Sequence, residues 1–223
     1  MGQFIELKAA DGHSFAAYLA EPAGKPKGGL VVVQEIFGVN KHMRSVTDGF
    51  AADGYLAIAP AYYDRVQRNF EVAYGPDDIK AGGAIRAQLQ WDQTLADTVA
   101  ALERIKSAGK AGITGYCWGG TVAWMAAART AGLACAIPYY GGGIPDLIEE
   151  KPKVPTMCHF GELDKSPSPE KAKEVLTKYP EVQGHFYPGA GHGFNCDERG
   201  SYNPEASKLA RQRTLEFLAK HVG

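Results

Sequence analysis

Short apolar runs alternate with longer amphipathic runs from about residue 29 to the end of the chain. This alternation is what a parallel sheet with crossover helices requires, so it predicts an α/β fold. The predicted strands are residues 30–34, 56–59, 111–114, 134–139, 155–160 and 182–187, and the predicted helices are residues 41–53, 91–107, 119–130, 169–178 and 204–221. Within the second helix, one apolar face is predicted at the 3.6-residue period, formed by Leu95, Val99, Leu102 and Ile105.

Two segments lie outside the alternation. Residues 4–7 and 15–20 read as short strands joined through Asp11-Gly12, a dipeptide suited to a hairpin turn, and predict an antiparallel edge. Residues 61–84 are polar and aromatic with weak periodicity, and could form a lid or an excursion from the fold. Because the chain has no internal repeat and no linker-like tract, we expect one domain over residues 1–223.

Composition restricts the classes of partner. The 223 residues are 45% hydrophobic and 22% charged, as in an ordinary globular protein. Twenty-four Lys and Arg against 25 Asp and Glu give a net charge of −1, so no basic field attracts polyanions. We therefore expect a small-molecule partner rather than nucleic acid or a membrane surface.

The cysteines point to a reducing compartment. Cys117, Cys135, Cys158 and Cys196 are too few and too dispersed for a disulfide framework, and no C-x-x-C pair is present for zinc. The first residues lack the basic and apolar regions of a signal peptide, and no later segment approaches 18 apolar residues. We expect a cytoplasmic protein without metal or cofactor. The oligomeric state is not determined by the sequence, a monomer being slightly favoured.

A candidate nucleophile lies at residues 115–119, which read Gly-Tyr-Cys-Trp-Gly between a predicted strand and a predicted helix. This G-x-C-x-G pattern is a nucleophile elbow with cysteine in the place of serine. The helix N-terminus at this point would favour the thiolate of Cys117. The alternative interpretation is that Cys117 is a small buried hydrophobe in a glycine-rich turn.

Candidates for an acid and a base follow in the order that an α/β-hydrolase requires. Asp164 comes after the strand at residues 155–160, where it could orient a histidine; it could instead cap the next helix, and Glu162 could be the acid. His192 lies in a glycine-rich loop after the last strand, as a base for thiol and water activation would. His159 and His185 lie within predicted strands and are interpreted as core or surface residues.

The strand at residues 30–34 ends in a second motif, Gln-Glu-Ile-Phe-Gly at residues 34–38. In this fold, backbone N–H groups of that loop and of the residue after the nucleophile form the oxyanion hole, which indicates Ile36 and Trp118. Glu35 is costly to bury unpaired, so we expect it to face the site cleft, the alternative being a surface salt bridge.

These motifs together resemble the dienelactone hydrolase family of cysteine α/β-hydrolases, also called carboxymethylenebutenolidases. The resemblance rests on QEIFGVN at 34–40, GYCWGG at 115–120, PYYG at 138–141, the acid segment ending at Asp164, and GAGHGF at 189–194. It implies Cys117 as nucleophile, His192 as base, Asp164 as its orienter and Glu35 as a partner in forming the thiolate. The implied reaction is enol-lactone opening through a thioester acyl-enzyme.

One position departs from the family pattern. Members that act on dienelactone carry an arginine four residues after the histidine to hold the substrate carboxylate, and Cys196 stands there in this chain. The cations that could replace it are Lys80, Arg68, Arg86 and Arg199, each of which could equally be a solvated surface charge. Aromatic residues expected to line the substrate pocket are Phe37, Tyr139, Tyr140 and Phe194, with plain core packing as the alternative.

Two other functions fit the same residues. The chain could be a general carboxylesterase or thioesterase for small esters. It could also be a non-catalytic binder or thiol sensor in which Cys117 is oxidised rather than acylated. A sensor does not need an aspartate-oriented histidine, which favours the hydrolase.

Overall fold

The structure is a computed structural model that describes all residues from 1 to 223. The chain divides into two compact units, residues 1–111 and residues 112–223. The prediction that residues 1–223 form one domain stays a prediction.

The first unit contains four strands and three α-helices. The strands are β1 (Gln3–Lys8), β2 (Ser14–Ala20), β3 (Gly29–Val33) and β4 (Leu56–Pro60), in the spatial order β1-β2-β4-β3. The helices are α1 (Lys41–Ala52), α2 (Pro76–Arg86) and α3 (Trp91–Ile105). The strands β3 and β4 pair in parallel and are buried along their whole length, as the apolar pattern predicts.

The predicted hairpin is confirmed. Strand β1 pairs antiparallel with β2, with Gln3 opposite Leu19 and Lys8 opposite Ser14. The turn uses Gly12 at a φ of 89°, a conformation that glycine adopts without steric cost. Strand β2 in turn pairs antiparallel with β4, so the hairpin extends this part of the sheet.

The second unit contains the remaining strands β5 (Ala111–Tyr116), β6 (Leu133–Tyr139), β7 (Met157–Gly161) and β8 (Gln183–Tyr187), in the order β5-β6-β7-β8. Its helices are α4 (Trp118–Arg129), α5 (Pro169–Lys178) and α6 (Pro204–His221). The side chains of Ser168 and Asn203 cap α5 and α6, and a proline opens each helix, where its missing N–H costs nothing. Strands β6, β7 and β8 pair in parallel.

A cluster of apolar side chains fixes α4 and α5 against β7 in this unit. Its buried members are Trp124, Ile144, Cys158, Phe160, Ala172, Val175, Tyr179 and Val182. This core holds the carboxyl end of β7 in place, and the loop after β7 carries one of the candidate site residues. No helix in the chain is long and apolar enough to cross a membrane.

Residues 61–84, for which the weak periodicity predicts no element, contain a short 3-10 helix at Tyr62–Arg65 and most of α2. Helix α2 has no apolar stripe, since Ile79 is exposed and Ile85 is buried, so periodicity could not find it. Its better signal is Pro76 at the first turn with the Asp78 carboxylate accepting from the Gly75 N–H.

The face of α3 also differs from the prediction. Val99 is 42% exposed, whereas Thr94, Asp97 and Thr98 are buried. These polar residues can be buried because their hydrogen bonds are satisfied inside the unit: Thr98 bonds the Tyr62 hydroxyl and Asp97 pairs with an arginine. The prediction counted only apolar side chains, and the predicted buried face of α3 is therefore rotated relative to the observed one.

Candidate active site

The candidate nucleophile stands on a sharp turn between β5 and α4. Cys117 has a φ of 56° and a ψ of −119°, a strained conformation for a residue with a Cβ, and α4 begins at the next residue. Its N–H donates to the Tyr139 carbonyl at 3.0 Å. The turn is tight because Gly120 lies so close to β6 that a Cβ there would be 2.4 Å from that same carbonyl oxygen. The side chain of Cys117 is partly exposed.

The acid of the predicted set is Asp164, in the loop after β7. Its Oδ2 lies 3.0 Å from His192 Nδ1, and its Oδ1 accepts from the Ser166 N–H at 2.8 Å. Asp164 is 4% exposed. The next helix is capped by Ser168 and not by Asp164, and Glu162 is exposed.

His192 lies in the loop after β8, which turns through Gly189 and Gly193 at φ values of 69° and 78°. Its ring hydrogen-bonds both Asp164 and Cys117. Burial acts to lower the pKa of His192, but the electrostatic interaction with Cys117 and the hydrogen bonds to Asp164 and Cys117 outweigh it and raise the pKa to about 10. The imidazole is therefore held as an imidazolium near neutral pH.

The acid and histidine loops are joined by backbone bonds that the sequence analysis did not find. The N–H of Leu163 donates to the Ala190 carbonyl at 2.9 Å, and the N–H of Glu162 donates to the Tyr187 carbonyl at 3.1 Å. The sequence feature that points to this contact is Gly161, because a Cβ at that position would be 2.4 Å from the Ala190 oxygen. A glycine directly before the acid thus permits the close approach of the two loops.

Aromatic side chains surround His192. The ring of Tyr140 meets the His192 ring edge to face at 5.1 Å, and Phe194 packs against Tyr140 at 5.3 Å. Tyr140 has a φ of 36°, another strained residue in this unit. Tyr139 is buried, with its hydroxyl 2.6 Å from Thr214 Oγ1. Trp118 is buried at the start of α4.

The other predicted site residues belong to the first unit. Glu35 follows β3 and is 1% exposed, so it is a buried carboxyl group and not part of a surface salt bridge. Ile36 is next to it, and its carbonyl oxygen would be 2.0 Å from a Cβ at Gly82, which fixes α2 close to this loop. Phe37 is buried with its ring against Tyr74. Arg86 is exposed on α2.

The structure also describes the candidate replacements for the missing arginine. Cys196 is fully buried, and the guanidinium of Arg199 occupies the space beside Gly193, next to His192. Arg68 donates to the Ser14 carbonyl at 2.7 Å and lies 3.5 Å from Glu6. Lys80 and Arg86 are exposed on α2.

A cysteine on a strand-to-helix turn, with an aspartate-bound histidine on a later loop, defines an α/β-hydrolase. Solved structures support this fold: the Pyrococcus furiosus esterase Pf2001 covers all of this chain and 93% of its own at a TM-score of 0.72 and 14% identity. The dienelactone hydrolase-like promiscuous phosphotriesterase P91, from metagenomic libraries, reaches a TM-score of 0.82 at 18% identity over 100% of this chain and 99% of its own.

Sequence relatives define the family. The profile of the dienelactone hydrolase family matches residues 15–222. The carboxymethylenebutenolidase of Pseudomonas putida is 33% identical, over 96% of this chain and 95% of its own. A relative from Synechocystis is 38% identical over 91% of this chain and 90% of its own. The chain belongs to the dienelactone hydrolase family, and it is a hydrolase of the ester- and lactone-cleaving type.

Proposed function

We propose that the chain opens an enol-lactone such as dienelactone by nucleophilic attack of Cys117. The observation that carries this proposal is the His192 ring, which bonds Cys117 on one side and Asp164 on the other, with a pKa raised to about 10. A thiolate next to an imidazolium is a nucleophile ready to act without prior proton transfer. The carboxymethylenebutenolidase relatives support the lactone as substrate.

The proposed first step is attack of the Cys117 sulfur on the lactone carbonyl carbon. The negative charge that develops on the carbonyl oxygen is stabilised by the backbone N–H groups of Ile36 and Trp118. The ring C–O bond then breaks and leaves a thioester on Cys117. The leaving enolate oxygen stays tethered to the acyl group and takes the proton of His192.

The proposed second step is hydrolysis of the thioester. His192, now neutral, removes a proton from water, and the resulting hydroxide attacks the thioester carbonyl. The carbon–sulfur bond breaks and releases the carboxylic acid, which loses its proton to solvent, while the proton taken from water remains on His192 beside the thiolate. Asp164 keeps Nδ1–H of the ring fixed throughout, and Glu35 assists thiolate formation when substrate binds. This chemistry requires no metal or cofactor, because every role belongs to a side chain or a backbone N–H.

The leaving group limits the substrates. An enolate or an activated alkoxide leaves easily, so a thiolate suffices as nucleophile, whereas an amide has a much poorer leaving group. A second candidate function is hydrolysis of small neutral esters, and the buried Cys196 in the place of the family arginine favours it. Proposed pocket residues are Phe37, Arg86, Tyr139, Tyr140 and Phe194.

The test compares Cys117→Ala with Cys135→Ala, a change at a fully buried cysteine on β6. We expect Cys117→Ala to abolish turnover of p-nitrophenyl acetate and of cis- and trans-dienelactone, with circular dichroism unchanged. Cys135→Ala should retain turnover. Unchanged turnover in Cys117→Ala would refute the proposed nucleophile, and oxidation of Cys117 without any ester turnover in the parent protein would favour a thiol sensor.

The cation that would hold a substrate carboxylate is tested separately. We propose Arg199, because its guanidinium packs beside Gly193, next to His192. Arg199→Gln should raise KM for dienelactone but not for p-nitrophenyl acetate, while Arg104→Gln, at an exposed position on α3, serves as the matched control. If neutral esters are turned over orders of magnitude faster than dienelactone in the parent protein, the general esterase is the better description.

Three other expectations from the sequence stay predictions: a cytoplasmic location, a lid at residues 61–84 and a monomeric state.

A further inference from the structure

A network of buried, hydrogen-bonded side chains lies in the second unit, and none of its groups exchanges a proton or forms a bond in the proposed reaction. His159, on β7, is fully buried; its Nδ1 lies 2.7 Å from the Tyr187 hydroxyl, and its Nε2 lies 3.1 Å from Thr214 Oγ1. Thr214, on α6, lies 2.6 Å from the Tyr139 hydroxyl. At the other end, Arg213 lies over the Tyr187 ring at 5.4 Å and hydrogen-bonds its hydroxyl. This hydrogen-bond network thus connects β6, β7, β8 and α6.

The direction of the bonds to His159 depends on which ring nitrogen carries the proton. Arg213 can only donate, so the Tyr187 oxygen accepts from it. His159 is neutral, because burial first, and then the nearby His185 and Arg213, hold its pKa well below the usual value. With a single ring proton, His159 donates one of its two bonds and accepts the other, so both ring nitrogens are satisfied without a charge.

The backbones of the same residues hold the candidate active site. The Tyr139 carbonyl accepts from the Cys117 N–H at 3.0 Å, and the His159 carbonyl accepts from the N–H of Tyr140, whose ring contacts His192. The Tyr187 carbonyl accepts from the N–H of Glu162, two residues before the acid. Each tyrosine or histidine of the buried network is thus one bond away from an element of the site.

We propose that the side chains of Tyr139, Thr214, His159 and Tyr187 form a positioning network that sets the spacing between Cys117 and the Asp164–His192 pair. The proposal rests on the proposed function, because it concerns the same site. A neutral histidine with two hydrogen-bond partners suits this role, since it does not change charge as the site titrates. A shift of about 1 Å in a catalytic group can cost about a hundredfold in rate.

The test removes one hydroxyl without changing the shape of the side chain. Thr214→Val deletes both Thr214 bonds, and Thr214→Ser retains a hydroxyl. We expect Thr214→Val to slow ester turnover about tenfold or more and to lower the NMR titration midpoint of the His192 ring by about one unit, because the ring loses its close contact with the thiolate. Thr214→Ser should restore most of both. The NMR titration needs no turnover, so it reports on the network even if the proposed function fails.

The matched control is Thr98→Val in the first unit. Thr98 is also buried on a helix and also bonds a buried tyrosine hydroxyl, that of Tyr62, at 2.9 Å. The Thr98→Val variant should lower the melting temperature as Thr214→Val does, but it should leave the NMR titration midpoint of the His192 ring unchanged. If Thr214→Val lowers only the melting temperature and leaves turnover and titration as in the parent, the network is purely structural and the proposal is wrong. Should Thr214→Val not fold, Tyr187→Phe takes its place with the same two outcomes.

Discussion

Two buried carboxylates, one in each unit, are paired with side chains of different chemistry. Asp97, in the first unit, receives two bonds from Arg65, at 2.8 Å from Nε and 2.7 Å from Nη2. Asp164, in the second unit, receives one bond at 3.0 Å from His192. Both aspartate side chains are fully buried. The partner, rather than the carboxylate, distinguishes the two sites.

The difference between the partners is their ability to lose a proton. A guanidinium stays charged at any working pH, so the Arg65–Asp97 pair is a fixed crosslink, and Asp11 adds a third bond to Arg65 at 2.8 Å. An imidazolium can release and regain its proton, and His192 has Cys117 as a second partner. The comparison indicates that a buried carboxylate is a fixed crosslink where its partner keeps its charge, and that it can serve the proposed chemistry where its partner can titrate.

The largest expected effect is on turnover at the titrating pair. Replacing His192 by Gln removes the base but leaves a group that can still bond Asp164. We expect kcat/KM for p-nitrophenyl acetate to fall by about a thousandfold, within the range for loss of a general base. His221→Gln, at the end of α6, is the control and should retain turnover. Equal turnover in the two variants would remove the distinction between the pairs.

A smaller effect, on stability instead of turnover, is expected at the fixed pair. Arg65→Gln leaves Asp97 as a buried carboxylate without its cation and should cost about 3 kcal/mol of unfolding free energy. Turnover per folded molecule should stay close to that of the parent protein. Urea unfolding with activity measured in the native baseline separates the two quantities. A loss of turnover larger than the loss of folded protein would mean that this pair is not only structural.

The smallest effect is the pH dependence of stability. The pKa of His192 is raised in the folded state from 6.5 to about 10, so its contribution to stability is complete below pH 6.5 and is lost as the pH rises through about 10. As the pH rises from 6.5 to about 10, the melting temperature of the parent protein should therefore fall relative to that of His192→Gln. The Arg65→Gln variant should show the same pH trend as the parent. A constant difference between parent and His192→Gln would contradict the raised pKa.

The sequence predicted the elements that have strong local signals. The elbow at Cys117, the acid after β7 and the histidine after β8 follow from position in an α/β pattern, and the structure brings Cys117, Asp164 and His192 together. Helix α2 was missed because Gly82 and Gly83 interrupt it and its isoleucines do not share a buried face. Its position depends on the close approach of Gly82 to Ile36, which is a tertiary contact.

The polar interior could not be predicted for a related reason. His159 was interpreted as a core or surface residue, which gives its burial but not its partners. Those partners, Tyr187 and Thr214, are 28 and 55 residues away in the chain. The same holds for Thr98 on α3, whose burial depends on the Tyr62 hydroxyl. Hydrogen-bond partners distant in sequence leave no periodic signal, so these positions emerge only from the folded structure.

The central claim is that Cys117 is acylated during turnover. Rapid acid quenching of the protein with excess p-nitrophenyl acetate, followed by intact-mass and peptide mass spectrometry, tests it directly. We expect one added acetyl group, located on the peptide that contains Cys117, present in His192→Gln after longer incubation and absent from Cys117→Ala. Turnover without any acyl adduct, or an adduct on another residue that accumulates and decays at the rate of turnover, would contradict the account.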